Sequence, residues 1–139
     1  MHIRIKNLRL RTMIGTNDWE RSTLQNVIIN VEVEFDGSRV AETDNIADTV
    51  DYKALTKRII DEVERSRFYL LDALASHVLG VVMEEKRVMR ATVEVDKPHA
   101  LRFADSVSVV CSAERKQDKY HRMSQSNTEK NKKQHRKKA

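Results

Sequence analysis

Gln25-Asn26-Val27-Ile28-Ile29-Asn30-Val31-Glu32-Val33-Glu34-Phe35 sets Val27, Ile29, Val31, Val33 and Phe35 on one side of an extended chain, with Ile28, Asn30, Glu32 and Glu34 on the other. That period of two belongs to a β-strand with one face buried, and Asp36-Gly37 ends it as a turn. Upstream, Ile3 and Ile5, then Leu8 and Leu10, alternate too, but the phase slips between Lys6 and Asn7. A β-bulge there would restore the facing. Downstream, past an acidic, turn-prone stretch, Tyr52, Leu55, Ile59, Ile60 and Val63 follow helical spacing, with Asp51 placed as N-cap. A second helix is predicted from about Leu70 to Glu85, with Leu71, Leu74, Val78, Val81 and Val82 on one face. Strands follow over Arg87 to Asp96 and Ser106 to Ser112, the latter turning Val107, Val109 and Cys111 one way. The order β-β-α-α-β-β predicts an α+β domain, a four-stranded antiparallel sheet with two helices on one face. The other face mixes Glu32, Glu34 and Glu94 with aliphatics, and the edge strands need partners. Closing several subunits into a barrel would cover both.

A chain of 139 residues reads as one domain, large enough for a core but small for a deep active site, a difficulty that a site between subunits removes. The net charge of +5 is unevenly spread. Residues 114–139 hold 10 Lys or Arg against 3 Asp or Glu, a net of +7, which leaves residues 1–113 at −2. The basic segment has no Val, Ile, Leu or Phe, so it cannot bury enough surface to offset ordering entropy and is expected to be a disordered tail. The body is then 1–113, and the tail offers at most weak, salt-sensitive contact with RNA or another polyanion. Cys111, the one cysteine, lies in an apolar run and reads as a buried, reduced thiol. No apolar run approaches the roughly 18 residues that span a bilayer, and the N-terminus lacks a signal-peptide core. A soluble, cytoplasmic protein without a membrane partner is the expectation.

Chemistry gathers at element boundaries. In Val93-Glu94-Val95-Asp96-Lys97-Pro98-His99-Ala100 an alternating strand runs into a lysine and is stopped by a proline, which cannot donate to a sheet ladder. Lys97 therefore stands at the lip of the sheet. Glu20 follows the isolated Gly15 in Gly15-Thr16-Asn17-Asp18-Trp19-Glu20, and Tyr52 opens a helix after Asp48-Thr49-Val50-Asp51. A carboxylate, a phenol and an amine make a candidate metal-free acid/base set. Taken singly, each has a plainer reading: Lys97 as a solvated strand end, Glu20 as a solvated turn acid, Tyr52 as a core aromatic. The histidines at 2, 77, 99, 121 and 135 form no HxH or HxxxH pair, so a zinc site is not expected, and no Gly-rich phosphate loop exists.

On the Gly15-to-Glu20 turn, Asp48-Thr49-Val50-Asp51-Tyr52, Leu70-Leu71-Asp72-Ala73-Leu74-Ala75 and Lys97-Pro98-His99-Ala100, the chain from about Ile3 to Ser112 resembles the dihydroneopterin aldolase family. The segments Ile3 to Thr12 and His99 to Ser108 look more like the branch that epimerises dihydroneopterin triphosphate, whereas Trp19-Glu20 and Asp48 to Tyr52 look more like the aldolase branch. The resemblance implies the tunnelling fold, in which sheets from four subunits close a ring and two rings stack into a homo-octamer. It implies retro-aldol cleavage of 7,8-dihydroneopterin between C1′ and C2′, giving 6-hydroxymethyl-7,8-dihydropterin and glycolaldehyde. Re-addition to the other face gives the C2′ epimer, and neither metal, Schiff base nor other cofactor is needed. Aldolase with accompanying epimerase activity is the first expectation and a triphosphate epimerase the second. A tunnelling-fold module that binds RNA or protein through its tail, without catalysis, is the alternative of another class. By the same resemblance Lys97 moves protons through a water, Tyr52 of a neighbouring subunit handles a hydroxyl or enol proton, and Glu20 orients the network. Leu71 and Asp72 would hold the pterin edge, although Asp72 is one methylene shorter than the family's Glu; by itself it reads as a first-turn acid favoured by the helix dipole. Arg102 and Arg11 are the candidate phosphate contacts.

Overall fold

Strands β1 (His2–Thr12), β2 (Gln25–Glu34), β3 (Arg90–Pro98) and β4 (Ser106–Glu114) pair antiparallel in chain order into one sheet. This computed structural model describes residues 1–116. The expected bulge is present: Ile5 pairs with Val31 but Leu8 with Ile29. Asn7 takes the slack with a φ of 55°, and its N–H donates to Asn30 Oδ1 at 2.8 Å. Leu10 therefore returns to the face that Ile3 and Ile5 occupy, packed with them in one core.

Helices α2 (Tyr52–Glu64) and α3 (Leu71–Met83) cover one face of the sheet. Asp51 caps α2, its Oδ1 accepting from the N–H groups of Lys53 and Ala54, each at 3.1 Å. The rows Val27-Ile29-Val31-Val33 and Ala91-Val93-Val95 meet Leu55, Ile59 and Val63 of α2 and Leu74, Val78 and Val82 of α3. Each such Val, Leu or Ile, when fully buried, stabilises the fold by about 1.5–3 kcal/mol. Glu62 fastens the helices together. It accepts from His77 Nε2 on α3 at 2.8 Å and pairs with Arg58 and Arg65 on its own side. These contacts, His77 foremost, lower its carboxyl pKa to about 2.

Short polar pieces escaped the periodic reading. A 3-10 turn spans Asp18–Ser22, and α1 (Ser38–Thr43) fills the acidic stretch, with Arg39 and Thr43 both donating to Asp48. Strand β3 begins at Arg90 rather than Arg87, because Val88 turns inward as a fully buried residue ahead of the ladder. The body also reaches beyond Ala113: β4 runs through Glu114, and the Arg115 guanidinium donates to the carbonyls of Met83, Glu85 and Val88. An arginine on the carbonyls that end a helix is a favourable cap. The expected disorder of the remaining tail concerns 117–139, which lie outside the described residues. Cys111 is half-buried, and burial raises its thiol pKa. Among the described residues no helix is long and apolar enough to cross a membrane.

Candidate active site

Lys97 continues the inward row of β3, after Val93 and Val95, past the point where the helices cover it. Its Nζ donates to Glu20 Oε2 at 2.8 Å, and the two side chains are only 15% and 7% exposed. Glu20, read alone as a solvated turn acid, is thus buried. Its other oxygen, Oε1, accepts from the backbone N–H of Asn17 at 3.1 Å and from Asn17 Nδ2 at 3.0 Å. The Lys97 contact, opposed by burial and aided by Asn17, holds the Glu20 carboxyl below its ordinary pKa, so it stays ionised at neutral pH. An ammonium has three N–H donors; with one given to Glu20, two remain for a ligand or water.

Gly15 makes this approach possible. Its φ is 130°, and a Cβ there would overlap the Glu20 carboxylate. The Arg21 guanidinium then straps the β1–β2 connection to the one between α2 and α3, donating to Gly15 O and Phe68 O at 3.0 Å each and to Arg67 O at 2.6 Å. It also stacks on Tyr69, 3.9 Å from the ring centre. Gln25 Nε2 donates to Ile14 O and fixes the start of β2. Asn17, Arg21 and Gln25 were given no role at the site by the sequence reading. The Asn-x-x-Glu spacing of Asn17 and Glu20, a capping-box pattern, was the available signal.

The start of α3 lies beside this strap. Leu71 is buried and Asp72 is exposed in the first turn. Leu70, the N-cap, offers no side-chain acceptor, so the first N–H groups of α3 are left for another acceptor. Asp72 therefore stands at the same end of the domain as Glu20 and Lys97. Tyr52 does not. It opens α2, and the connection just past that helix's other end meets β1 here, Thr12 Oγ1 donating to Ser66 O at 3.0 Å. A 13-residue helix separates its two ends by about 18 Å. Tyr52 is 56% exposed, not a core aromatic, and no single chain brings it to Lys97. Arg11 lies on the helix-free face of β1, donating to Leu24 O at 3.3 Å. Arg102 lies over the Phe103 ring in the β3–β4 loop, 5.3 Å from its centre. Among the described residues no three His, Cys, Asp or Glu side chains gather as a metal site requires.

A sequence profile for dihydroneopterin aldolase matches residues 3–112, nearly the whole described body. The chain belongs to the dihydroneopterin aldolase family. Within this family it is 45% identical over 113 residues to the dihydroneopterin triphosphate 2′-epimerase of Escherichia coli K12, covering 81% of this chain and 94% of that one. To the dihydroneopterin aldolase of the same strain it is 27% identical over 106 residues, 76% of this chain and 87% of the other. A crystal structure described as a putative dihydroneopterin aldolase from Vibrio cholerae superposes with a TM-score of 0.79 at 27% identity, covering 83% of this chain and 98% of that one. The E. coli dihydroneopterin aldolase in complex with neopterin gives 0.78 at 26% identity, with 81% and 98% covered. The antiparallel β-β-α-α-β-β architecture is shared with these dihydroneopterin aldolase structures, and the relatives' names describe enzymes that act on dihydroneopterin or its triphosphate.

Proposed function

We propose that this protein is a cofactor-free dihydropterin enzyme that breaks and remakes the C1′–C2′ bond of dihydroneopterin triphosphate, with C2′ epimerisation as its main outcome. The observation that carries this reading is the shielded Lys97–Glu20 pair at 2.8 Å, an ammonium fixed at a strand end with two donors to spare. The Lys97 ammonium gives a proton to the dihydropterin ring nitrogen and, through a water it holds, recovers one from the 2′-hydroxyl, so its charge is unchanged over the step. As the C2′ oxygen becomes an aldehyde, the C1′–C2′ electron pair moves into the dihydropterin ring, giving an enol-type species at C1′. The ring is the electron acceptor, so the scheme calls for neither metal nor Schiff base. If the aldehyde turns and C1′ re-adds to its other face, the proton returns to the 2′-oxygen and the epimer results. If the aldehyde leaves and C1′ is protonated, the outcome is aldol cleavage. Glu20 keeps the ammonium in place throughout, a positioning and general acid–base arrangement.

The sequence reading put cleavage first. The higher identity to the triphosphate epimerase than to the aldolase supports the reverse order. Asp72, with the open N–H groups at the start of α3, matches the alternating donors and acceptors of a pterin edge. Tyr52 would come from a neighbouring copy, which its exposure and its place at the far end of α2 favour. The unpaired outer edges of β1 and β4 and the exposed Leu101, Phe103 and Val110 suit closure into a ring of four, with two rings stacked.

Incubation with dihydroneopterin triphosphate and with dihydroneopterin, followed by fluorescence chromatography of the products, tests the reading. The expected result is the triphosphate epimer in excess over 6-hydroxymethyl-7,8-dihydropterin, undiminished by chelators and without a borohydride-trapped adduct on Lys97. Absence of turnover on both compounds would sink it and leave a binding module.

A further inference from the structure

On the helix-free face, at the end of the sheet where Lys97 stands, a cleft of about 350 Å³ is lined by Arg9 and Arg11 of β1, Asn26 and Ile28 of β2, and Pro98 and His99. We propose that this cleft is a polyphosphate subsite that seats the phosphate chain of the substrate. The proposal rests on the reading of the Lys97–Glu20 pair as a dihydropterin site.

The register carries the geometry. Arg9 pairs with Ile28 and Arg11 with Asn26. The two arginines, two residues apart on one strand, share a face with their Cα atoms about 7 Å apart. Guanidinium groups so spaced can straddle linked phosphates, each offering a planar fork of donors. Arg11 spends one donor on Leu24 O at 3.3 Å, which steadies it and leaves the others. His99 follows Lys97 by two residues, about 7 Å of chain. Its φ of 62° turns the backbone at the strand end, where its N–H donates to Asp105 O at 3.1 Å. A ligand whose reacting carbon meets Lys97 can therefore lead its phosphates around the end of the sheet into the cleft.

Charge points the same way. At the other end of this face the basic groups have carboxylates among them: Glu32 pairs with His2 at 2.7 Å and with Arg4 at 3.3 Å, and Glu94 lines the same hollow as Lys6. Among the described residues no carboxylate forms an ion pair with Arg9 or Arg11, and none lines the cleft. The opposing charge is Asp96, which lies beyond Ile28 in the same row and has a buried oxygen, Oδ1, without a hydrogen-bond partner. One carboxylate against two guanidinium groups still leaves a net attraction for a polyanion.

The test compares wild type with Arg9→Gln, Arg11→Gln and the double variant, using the full chain so that tail contributions are common to all. The ratio of kcat/KM for dihydroneopterin triphosphate to that for dihydroneopterin should fall about tenfold per arginine, mostly through KM. Arg9→Lys and Arg11→Lys, which keep the charge and the fold, should lie between. A ratio unchanged in the double variant, or equal losses on both substrates, would overturn the subsite. Calorimetric titration with inorganic tripolyphosphate separates this from the catalytic reading: even if neither pterin is turned over, binding should weaken at least tenfold in the double variant, and equal binding refutes the proposal. Sedimentation supplies the remaining arm. Dissociation of the assembly in the glutamine variants would assign the arginines to a neighbouring copy instead.

Discussion

Replacing Lys97 by Met keeps the aliphatic stem and removes the ammonium, which strands Glu20 Oε2 in a pocket where its side chain is 7% exposed. Breaking a buried pair from one side costs about 3–5 kcal/mol in general, but protonation of the acid puts a ceiling on that penalty here. From an ordinary pKa of 4.5, neutralising the carboxyl costs about 3.4 kcal/mol at pH 7 and about 0.7 at pH 5, at 1.36 kcal/mol per pH unit. The penalty of the stranded charge cannot exceed those figures. The lost charge-assisted hydrogen bond adds about 1 kcal/mol at either pH. Lys97→Met should therefore be about 2–4 kcal/mol less stable than wild type at pH 7, with up to about 2.7 kcal/mol of this deficit recovered at pH 5. The sign follows from the variant: its folded Glu20 has a raised pKa, so its destabilisation is full at high pH and fades as pH falls through that value. Wild-type Glu20, whose pKa is lowered, remains ionised across the whole window. Urea unfolding followed by circular dichroism, at one fixed protein concentration because assembly couples to stability, gives both numbers. At pH 5 the variant should be folded yet inactive, which separates chemistry from stability. A deficit below about 0.5 kcal/mol that does not change between pH 7 and pH 5 would refute the reasoning, since it would mean that water screens the pair.

Gly15→Ala should cost about 1–3 kcal/mol from backbone strain alone and lower turnover more than tenfold by displacing Glu20; Gly80→Ala, where a Cβ meets nothing, should be neutral or stabilising in the same thermal and kinetic assays. Mixed assemblies of Lys97→Ala and Tyr52→Phe should regain activity that neither variant has alone, and no recovery after verified subunit exchange would remove a neighbour's Tyr52 from the site. Asp72→Ala should lose about 2 kcal/mol of dihydropterin affinity by calorimetry, whereas Asp72→Glu should bind at least as well as wild type; equal binding by the alanine variant removes Asp72 as the anchor. Glu62, held at about 2 in the fold against an ordinary 4.5, stabilises the protein above pH 4.5 and loses that contribution as pH falls toward 2; Glu62→Gln should flatten the dependence of melting temperature on pH in that window.

The sheet was legible because burial of one face forces strict alternation, and even the bulge showed as a slip of phase before Asn7. Helix α2 announced itself through spacing and Asp51. By contrast α1 and the 3-10 turn at Asp18–Ser22 are short and polar, so no period could reveal them, and Val88 imitated a strand residue because a core-facing turn position has the same composition. In the site, Lys97, Glu20 and Tyr52 each stood out at a boundary, but sequence spacing says nothing about which boundaries meet. The structure joins Glu20 to Lys97 and sends Tyr52 to the far end of α2. Arg21 went unnoticed because the carbonyls of Arg67 and Phe68 that it reaches come near only once two connections are brought together, whereas Asn17 was open to discovery from its spacing to Glu20.

The Lys97–Glu20 contact closes 77 residues of chain, and that span has a kinetic meaning. The β1–β2 hairpin can zip from its own turn, but β2 cannot gain its second neighbour until both helices and then β3 have been made. Closure across such a separation is the slow, entropically costly step of folding. During synthesis the nascent chain therefore carries the inner edge of β2 unpaired, its backbone N–H and C=O groups open to water, until residues 90–98 emerge. In refolding from urea, enzymatic activity should return only with the slowest sheet-forming phase, and activity that preceded it would show that the pair assembles without β3 in register.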